Sequence, residues 1–313
     1  MSDLNANLRA WLDQLNPMVA EQKQKGIEAT PQMVRDSLAG LTAAFVTQYP
    51  EIPGVRDIEV VLTGRTIPLR LYDPEPGNAK PVLLFFHGGG HMAGSVEVYD
   101  PIARKLAHST GWLVVSVDYR LSPETPYPGG LDDCMDITRR IWQILADEGQ
   151  SIVPRLALAG DSGGGTYAAA VSRALADQPD LHIEKQVLIY PSLDYTLESP
   201  SIHSFGEGHL LEEHRIRWYF DHYFRNDENR RQASPLHQSL ARRMPDTLII
   251  TAGYCPLHDE GVAYGQKLQA AGQPCTLQDY PDMIHAYLNL ENLAPEACAD
   301  TYQRIADFLK TED

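Results

Sequence analysis

Ser162 is the residue of this chain whose surroundings most favour nucleophilic chemistry. It lies at the centre of Gly-Asp-Ser-Gly-Gly, residues 160–164, after the apolar run 156–159 and before a stretch of small residues. This pattern is typical of a strand, a sharp turn and a helix, a geometry that lifts a serine hydroxyl above the edge of a sheet. The free N–H groups at the start of that helix favour negative charge behind the serine. A glycine-rich turn with no catalytic role is the alternative that the motif alone leaves open.

A second glycine-rich stretch, His-Gly-Gly-Gly at residues 87–90, directly follows an apolar run. Consecutive glycines let backbone N–H groups point at a substrate oxygen without obstruction by side chains, as an oxyanion hole requires. We predict that Gly88 and Gly89 supply two of its donors and that Gly163, just after the candidate nucleophile, supplies a third. His87 is interpreted as a structural residue that orients the loop rather than as a base.

The candidate general base is His285, which comes late in the chain, after the predicted strand 275–279. Its place beyond a strand predicts that it lies at the same edge of the sheet as Ser162. A histidine there can take the serine proton and later give it to the leaving alcohol. A chain order of serine, acid and histidine places the acid after the predicted strand 247–251. A histidine in an ordinary surface loop is the alternative interpretation.

The elements that must position these residues alternate between strands and helices. After an antiparallel pair predicted at 57–63 and 66–72, apolar strands are predicted at 82–86, 112–117, 156–159, 186–190, 247–251 and 275–279. Between and after them, helices are predicted at 100–109, at 131–148, directly after Ser162, at 259–271 and at 295–309. Such alternation predicts an α/β fold with a mostly parallel sheet covered on both faces. Ligands of these sheets bind at the carboxyl ends of the strands.

Two segments stand outside this alternation and are predicted to form a helical cap. Apolar residues recur at helical spacing in residues 3–23 and 31–47, before the first strand. Residues 200–226 combine four histidines with a run of aromatics, but their spacing matches no metal site, so an amphipathic lid is favoured. The chain is thereby divided into cap helices, a first core part, a cap insert and a second core part, at residues 1–50, 51–199, 200–226 and 227–313.

Composition and charge exclude several classes of function. The chain has 313 residues, of which 43% are hydrophobic, enough for a sizeable core. A net charge of −16 and a pI of about 5.0 argue against nucleic acid or an anionic membrane as partner. No apolar run approaches the ~20 residues of a transmembrane helix, and the first residues lack the features of a signal peptide. Four widely spaced cysteines predict free thiols in a reducing cytoplasm.

Taken together, the motifs resemble those of the hormone-sensitive-lipase-like branch of α/β-hydrolase esterases, and bacterial acetyl esterases most of all. The resemblance runs from about residue 80 to the C-terminus. It is carried by His-Gly-Gly-Gly at 87–90, Val-Asp-Tyr-Arg-Leu-Ser-Pro-Glu at 117–124, Gly-Asp-Ser-Gly-Gly at 160–164, Tyr-Pro at 190–191, Ser-Pro-Leu at 234–236 and Ala-Gly-Tyr-Cys-Pro-Leu-His-Asp-Glu-Gly at 252–261. It implies an α/β-hydrolase fold with a cap, a small-molecule ester as substrate, and neither metal nor organic cofactor. Enzymes of this branch often pair, so a homodimer is also expected.

Cys255 departs from the family pattern where the acid of the catalytic triad is expected. The family carries an aspartate there, with a pKa of about 3.9, whereas a thiol has a pKa of about 8.5. A thiol can still accept a weak hydrogen bond from an imidazole N–H, or act as a thiolate beside imidazolium. Asp259, Glu260 and Asp282 are the alternative acids. His91 is a second departure, since the family usually carries an aromatic or bulky apolar residue at that position.

These residues predict a serine carboxylesterase for small, short-acyl esters. Ser162 would be the nucleophile and His285 the base, with Cys255 in the acid position. A catalytically weakened relative that only binds a ligand is one alternative, because the acid is missing. A hydrolase of another acyl substrate, such as a lactone or an amide, is the other.

Overall fold

One eight-stranded sheet organises the computed structural model, which describes residues 3–310. In the sheet the strands follow the order β1-β2-β4-β3-β5-β6-β7-β8. Their bounds are β1 Gly54–Leu62, β2 Arg65–Asp73, β3 Lys80–Phe86, β4 Leu113–Val117, β5 Ile152–Asp161, β6 Ile183–Ile189, β7 Asp246–Tyr254 and β8 Cys275–Ile284. Only the β1–β2 and β2–β4 pairs are antiparallel, and the five others are parallel. The mostly parallel α/β fold predicted from the sequence is therefore confirmed.

The helices lie where the apolar spacing predicted them, with ends that differ by a few residues. They are α1 Ala6–Gln24, α2 Pro31–Phe45, α3 Asp100–Thr110, α4 Gly129–Asp147, α5 Gly163–Leu175, α6 Pro200–Phe205, α7 Glu213–Tyr223, α8 Arg230–Ala233, α9 His258–Ala270 and α10 Pro295–Lys310. A 3₁₀ helix at Tyr287–Leu293 and the short α8 were not predicted. Both are too short to carry a recognisable apolar period.

The last strand is longer than the sequence predicted. β8 continues to Ile284, whereas the prediction ended it at Asp279. Pro281 is accommodated at a register irregularity in the pairing with β7. Gly253 lies so close to Pro281 that a Cβ on it would clash with the proline backbone. His285 is therefore the first residue after the strand instead of part of a long loop.

The turn between β5 and α5 has the geometry that its glycines indicated. A Cβ on Gly160 would clash with the carbonyl of Gly164, and one on Gly164 would clash with the carbonyl of Phe86 on β3. Ser162 has a φ of 52° and a ψ of −119°, a backbone conformation that costs a non-glycine residue free energy. Because α5 begins at Gly163, the serine stands at the N-terminus of a helix.

The segments outside the strand–helix alternation contact each other. The side-chain amide of Asn16 on α1 donates to the carbonyl oxygen of Gly208, between α6 and α7, at 3.0 Å. The Lys23 ammonium lies 2.7 Å from a carboxylate oxygen of Glu212, the residue before α7. One hydrogen bond and one ion pair thus connect α1 to the 200–226 segment.

Several other features bear on the function classes considered above. None of the helices within residues 3–310 is both long enough and apolar enough to cross a membrane. In the same residues, no three His, Cys, Asp or Glu side chains are grouped so that they could hold a metal ion. All four cysteines are free, as predicted, and three of them are buried.

Candidate active site

A cavity of about 480 Å³ contains the residues whose chemistry the sequence singled out. Ser162 and His285 line it, and each follows the carboxyl end of a strand. Its walls are largely apolar side chains from α1, α2, α7 and the segment before α7: Trp11, Leu15, Val34, Leu38, Leu41, Leu210, Leu211, Ile216 and Phe220. The cavity thus places Ser162 and His285 among largely apolar walls, which suit an organic molecule with apolar parts.

Ser162 and His285 form a hydrogen-bonded pair in that cavity. Ser162 Oγ lies 2.9 Å from His285 Nε2, although 123 residues separate them in the chain. Tyr190 packs edge-on against the imidazole, with ring centroids 5.0 Å apart. A separation of 2.9 Å is within the range in which a histidine can abstract a hydroxyl proton. The structure therefore brings together the two residues predicted as nucleophile and base.

Cys255 occupies the far side of the same imidazole. Its Sγ lies 3.1 Å from His285 Nδ1 and accepts a hydrogen bond from the Leu257 N–H at 3.3 Å. Burial raises the pKa of the Cys255 thiol far above its ordinary value, against a smaller lowering by the Leu257 N–H. Burial also lowers the pKa of His285 to about 3. A neutral thiol thus faces a neutral imidazole, and Cys255 supplies no negative charge to stabilise an imidazolium.

The three alternative acids lie elsewhere. The Asp259 carboxylate is 2.9 Å from Nδ1 of a different histidine, His258. Glu260 is buried and accepts a hydrogen bond from the Leu193 N–H at 2.8 Å. Asp282 lies in β8, where its backbone carbonyl accepts a hydrogen bond from the Asn5 N–H at 3.0 Å. Within residues 3–310, none of the three bonds to the imidazole of His285, so Cys255 alone contacts its Nδ1.

The glycines of the 87–90 loop do not all face the cavity. Gly89, Gly90 and Gly163 line it, but Gly88 does not. The amide of Gly88 is directed at the buried carboxyl group of Asp161 and helps to lower its pKa. The second and third glycines of the motif, instead of the first and second, are thus open to a bound molecule. Sequence reasoning missed this because the motif does not reveal which peptide groups turn inward.

Asp161 is a buried titratable group in the cavity that the sequence analysis did not single out. Burial raises its pKa to about 7, while a hydrogen bond from the Tyr99 hydroxyl at 3.1 Å acts in the opposite direction. Its carboxyl group therefore changes charge in the neutral range, one residue from Ser162. Its position beside the serine in an otherwise apolar strand was the available signal.

His91 forms part of the cavity wall in a strained conformation, with a φ of 62°. Its Nε2 is 3.0 Å from the Tyr195 hydroxyl, and its ring stacks on Tyr223 at 4.2 Å. Burial lowers its pKa to about 3, so the ring is neutral. A Cβ at Gly163 would lie 3.2 Å from this ring, which therefore supports the start of α5 from the side.

His87 is held within the protein instead of facing Ser162. Its Nδ1 lies 2.7 Å from the carbonyl oxygen of Gly88, and its ring stacks on Tyr119 at 4.3 Å. Burial lowers its pKa to about 4. These contacts hold the glycine loop in place and agree with a structural role for His87.

Comparison with known proteins points to one family. Residues 83–289, about two thirds of the chain, match a family model described as the α/β-hydrolase fold. An ethyl acetate hydrolase of Pseudomonas putida is 35% identical over 243 residues, which cover 75% of either chain. An esterase of Mycobacterium tuberculosis is 34% identical over 88% of this chain and 86% of its own. An acetyl esterase of Salmonella choleraesuis is 34% identical over 77% of this chain and 76% of its own.

Solved structures extend the likeness to the whole chain. A hyperthermophilic esterase from the archaeon Pyrobaculum calidifontis superposes with a TM-score of 0.87 at 29% identity, covering 99% of this chain and 98% of the other. A thermostable esterase from Pseudomonas putida gives a TM-score of 0.88 at 29% identity, over 99% and 98%. The coverage includes the N-terminal helices, which the family model leaves out.

Proposed function

This chain belongs to the hormone-sensitive-lipase-like branch of the α/β-hydrolase family and is a carboxylic ester hydrolase, and from that premise we propose that it cleaves small, short-acyl esters through an acyl-enzyme on Ser162. The observation that carries the proposal is the 2.9 Å hydrogen bond between Ser162 Oγ and His285 Nε2 inside a largely apolar cavity.

In the proposed reaction His285 removes the hydroxyl proton as Ser162 attacks the ester carbonyl carbon. The oxygen of that carbonyl becomes negatively charged, and preorganised N–H donors stabilise it. We assign this role to Gly89, Gly90 and Gly163, the glycines that line the cavity, and no longer to Gly88. His285 then gives its proton to the departing alcohol. In the second half His285 takes a proton from a water molecule that attacks the acyl carbon, then returns it to Ser162 Oγ as the bond to the acyl group breaks and the acid leaves.

Cys255 is proposed to orient the imidazole without supplying charge. If His285 Nδ1–H donates to the sulfur 3.1 Å away, Nε2 keeps the lone pair that accepts the serine proton. A neutral thiol stabilises the imidazolium far less than a carboxylate does. Serine proteases that lose this carboxylate turn over about 10⁴-fold more slowly yet remain catalysts, because the oxyanion hole still acts. Turnover below that of carboxylate-containing relatives is the expected consequence.

The nucleophile is tested by substitution and by covalent labelling. Ser162→Ala should lower the turnover of 4-nitrophenyl acetate by at least ~10³-fold while the protein stays folded, because no other group can form the acyl-enzyme. Mass spectrometry after treatment with an organophosphate should find the added mass on Ser162. Labelling of a different residue, with Ser162 unmodified, would show that the proposed nucleophile is wrong.

The range of acyl groups is proposed to be limited by the helices over the cavity. Side chains of α1, α2 and α7 line its walls, which restricts the length of chain that fits beside Ser162. Acetyl to butanoyl esters should therefore be cleaved with a higher kcat/KM than esters of ten carbons or more. A series of 4-nitrophenyl esters measures this directly. Preference for decanoate or for long-chain triglycerides would contradict a short-acyl site.

The neutral pair of Cys255 and His285 favours one second candidate function, a protein that binds esters with little turnover. The same assay separates the two, because a binding protein should hydrolyse 4-nitrophenyl acetate no faster than its Ser162→Ala variant does.

A further inference from the structure

Arg215 places a positive charge in the wall of the cavity. On α7 the residues that face the cavity are Arg215, Ile216, Tyr219 and Phe220, which lie on one side of a helix. Among the residues that line the cavity, Arg215 is the only lysine or arginine. A cavity for a wholly uncharged ester has no need of such a group, since a cation beside apolar walls is costly to desolvate.

The guanidinium of Arg215 has no acidic partner although two glutamates stand close to it in sequence. Glu212 lies 2.7 Å from Lys23, and Glu213 lies 2.9 Å from Arg217. In the part of the chain that the structure describes, no carboxylate oxygen comes within 4.0 Å of the Arg215 guanidinium. Several other arginines of the described residues also lack a carboxylate partner, but among them only Arg215 lines the cavity.

Two neighbours position this charge. The central carbon of the Arg215 guanidinium lies 5.5 Å from the centroid of the Trp218 ring. Arg215 precedes Tyr219 by four residues on α7, about 6 Å along the helix axis. The Tyr219 ring covers Gly90, where a Cβ would be 2.9 Å from it. The charge therefore lies on α7 about one helical turn before the residue whose ring covers Gly90.

Two carboxyl groups also line the cavity, on α2 and at the end of β5, and each accepts a hydrogen bond from an uncharged donor. Asp36 accepts a hydrogen bond from the Gln32 side chain at 2.7 Å. Asp161 accepts one from the Tyr99 hydroxyl, and burial raises its pKa to about 7. Neither carboxyl group comes within 4.0 Å of the Arg215 guanidinium, so the cation is free to pair with an anionic group of a bound molecule.

We propose that Arg215 selects esters whose alcohol part carries a carboxylate. The inference rests on the proposed function, in which the acyl group is short and lies beside Ser162. When the acyl group is short, the part of the cavity lined by Arg215 remains for the alcohol part of the substrate. A guanidinium binds a carboxylate through two parallel hydrogen bonds, which gives both affinity and orientation. The substrate class is thus a short-chain acyl ester of a hydroxy acid.

The test compares two acetyl esters that differ only in charge, 4-acetoxybenzoate and its methyl ester. The ratio of their kcat/KM values is measured for the wild type and for Arg215→Gln, Arg215→Lys and Arg217→Gln. The intrinsic reactivities of the two esters differ, but this difference cancels when one protein is compared with another. Arg217 is the matched control, because it lies on the same helix and pairs with Glu213 outside the cavity.

In Arg215→Gln the ratio should fall at least ~10-fold, mainly through a higher KM for the charged ester, because a charge-assisted pair is lost. Arg215→Lys should restore part of it, and Arg217→Gln should leave it unchanged. Added salt should lower the wild-type ratio. A ratio that stays the same in Arg215→Gln, or an equal loss for both esters, would overturn the proposal. Failure of the proposed function is seen separately, as hydrolysis that survives in Ser162→Ala.

Discussion

Two histidines at the carboxyl edge of the sheet, His258 and His285, have opposite surroundings. His258 lies between two carboxylates, with Nε2 3.4 Å from Asp279 Oδ1 and Nδ1 2.9 Å from Asp259 Oδ1. The hydrogen bond to Asp279, followed by that to Asp259, raises the pKa of His258 against the effect of burial. At His285 the neighbour of Nδ1 is the thiol of Cys255, and burial lowers the pKa to about 3.

The contrast shows that two carboxylates lie close to the site but bond to the other histidine. The His258 N–H donates to the carbonyl oxygen of Cys255 at 3.0 Å, so the two environments adjoin. The His258 side chain is 24% exposed, and the water that reaches it lowers the cost of holding charges. His285 is buried, and a carboxylate there would have to be compensated fully by the imidazole and by backbone donors.

The largest expected effect comes from giving His285 the partner that His258 has. Cys255→Asp should raise the turnover number for 4-nitrophenyl acetate by ~10² to 10⁴, which is roughly 3 to 5 kcal/mol of activation free energy. The new carboxylate would hold the correct tautomer and stabilise the imidazolium during attack. Steady-state kinetics measure the change. Cys255→Ser, which adds no charge, is the matched control and should show no comparable gain.

An unchanged turnover number in Cys255→Asp would have a different explanation. If another acid already serves His285 in solution, Cys255→Asp should bring little change. One of Asp259→Asn, Glu260→Gln or Asp282→Asn would then lower turnover by at least ~10². The structure predicts that the turnover number of each of these three variants stays within a few-fold of the wild type, since none of the three side chains is hydrogen-bonded to the imidazole of His285.

A second effect, about tenfold, concerns the pH dependence of kcat/KM. With the pKa of His285 lowered to about 3, the base is already neutral at pH 5, and the wild-type rate should not fall on its account between pH 8 and pH 5. In Cys255→Asp the carboxylate raises this pKa, so the rate at pH 5 should drop ~10-fold below its plateau.

Asp161, in the wall of the cavity, also titrates in this range. The pKa of Asp161 is about 7, so a step near neutral pH that disappears in Asp161→Asn reports on that carboxyl group. A wild-type fall between pH 7 and pH 5 that persists in Asp161→Asn would contradict a neutral, weakly supported His285.

The smallest effect concerns the free energy of unfolding that His258 contributes through its ion pairs with Asp259 and Asp279. Because the folded state raises the pKa of His258, its contribution is fully present below about pH 6.5 and is lost as the pH rises through the folded value. The partner carboxylates are 38% and 40% exposed, so screening limits the contribution to about 0.5–1 kcal/mol. Urea unfolding should show the wild type losing this amount from pH 6 to pH 9, beyond any loss in His258→Gln. The same pH dependence of unfolding in both proteins would show that these ion pairs add no stability. The turnover number should be the same in the wild type and in His258→Gln.

Much of the site was readable from local sequence. The glycines around Ser162 are required wherever a strand turns sharply into a helix, and the apolar runs placed Ser162 and His285 after strands of one sheet. The length of β8 was not readable, because Pro281 suggests a loop and only pairing with β7 shows that the strand absorbs it. Which glycines of the 87–90 loop border the cavity was not readable either: Gly89 and Gly90 line it, whereas Gly88 lies against Asp161.

The sequence by itself determined the order of elements, the nucleophile turn and the presence of a thiol where the family has an acid. These depend on backbone sterics and apolar periodicity, which act between residues close together in the chain. Only the tertiary structure decided which carboxylate meets which histidine and that Cys255 and His285 face each other uncharged. A pKa depends on the water excluded by all surrounding elements and on charges a few ångströms away, and residues distant in sequence supply both.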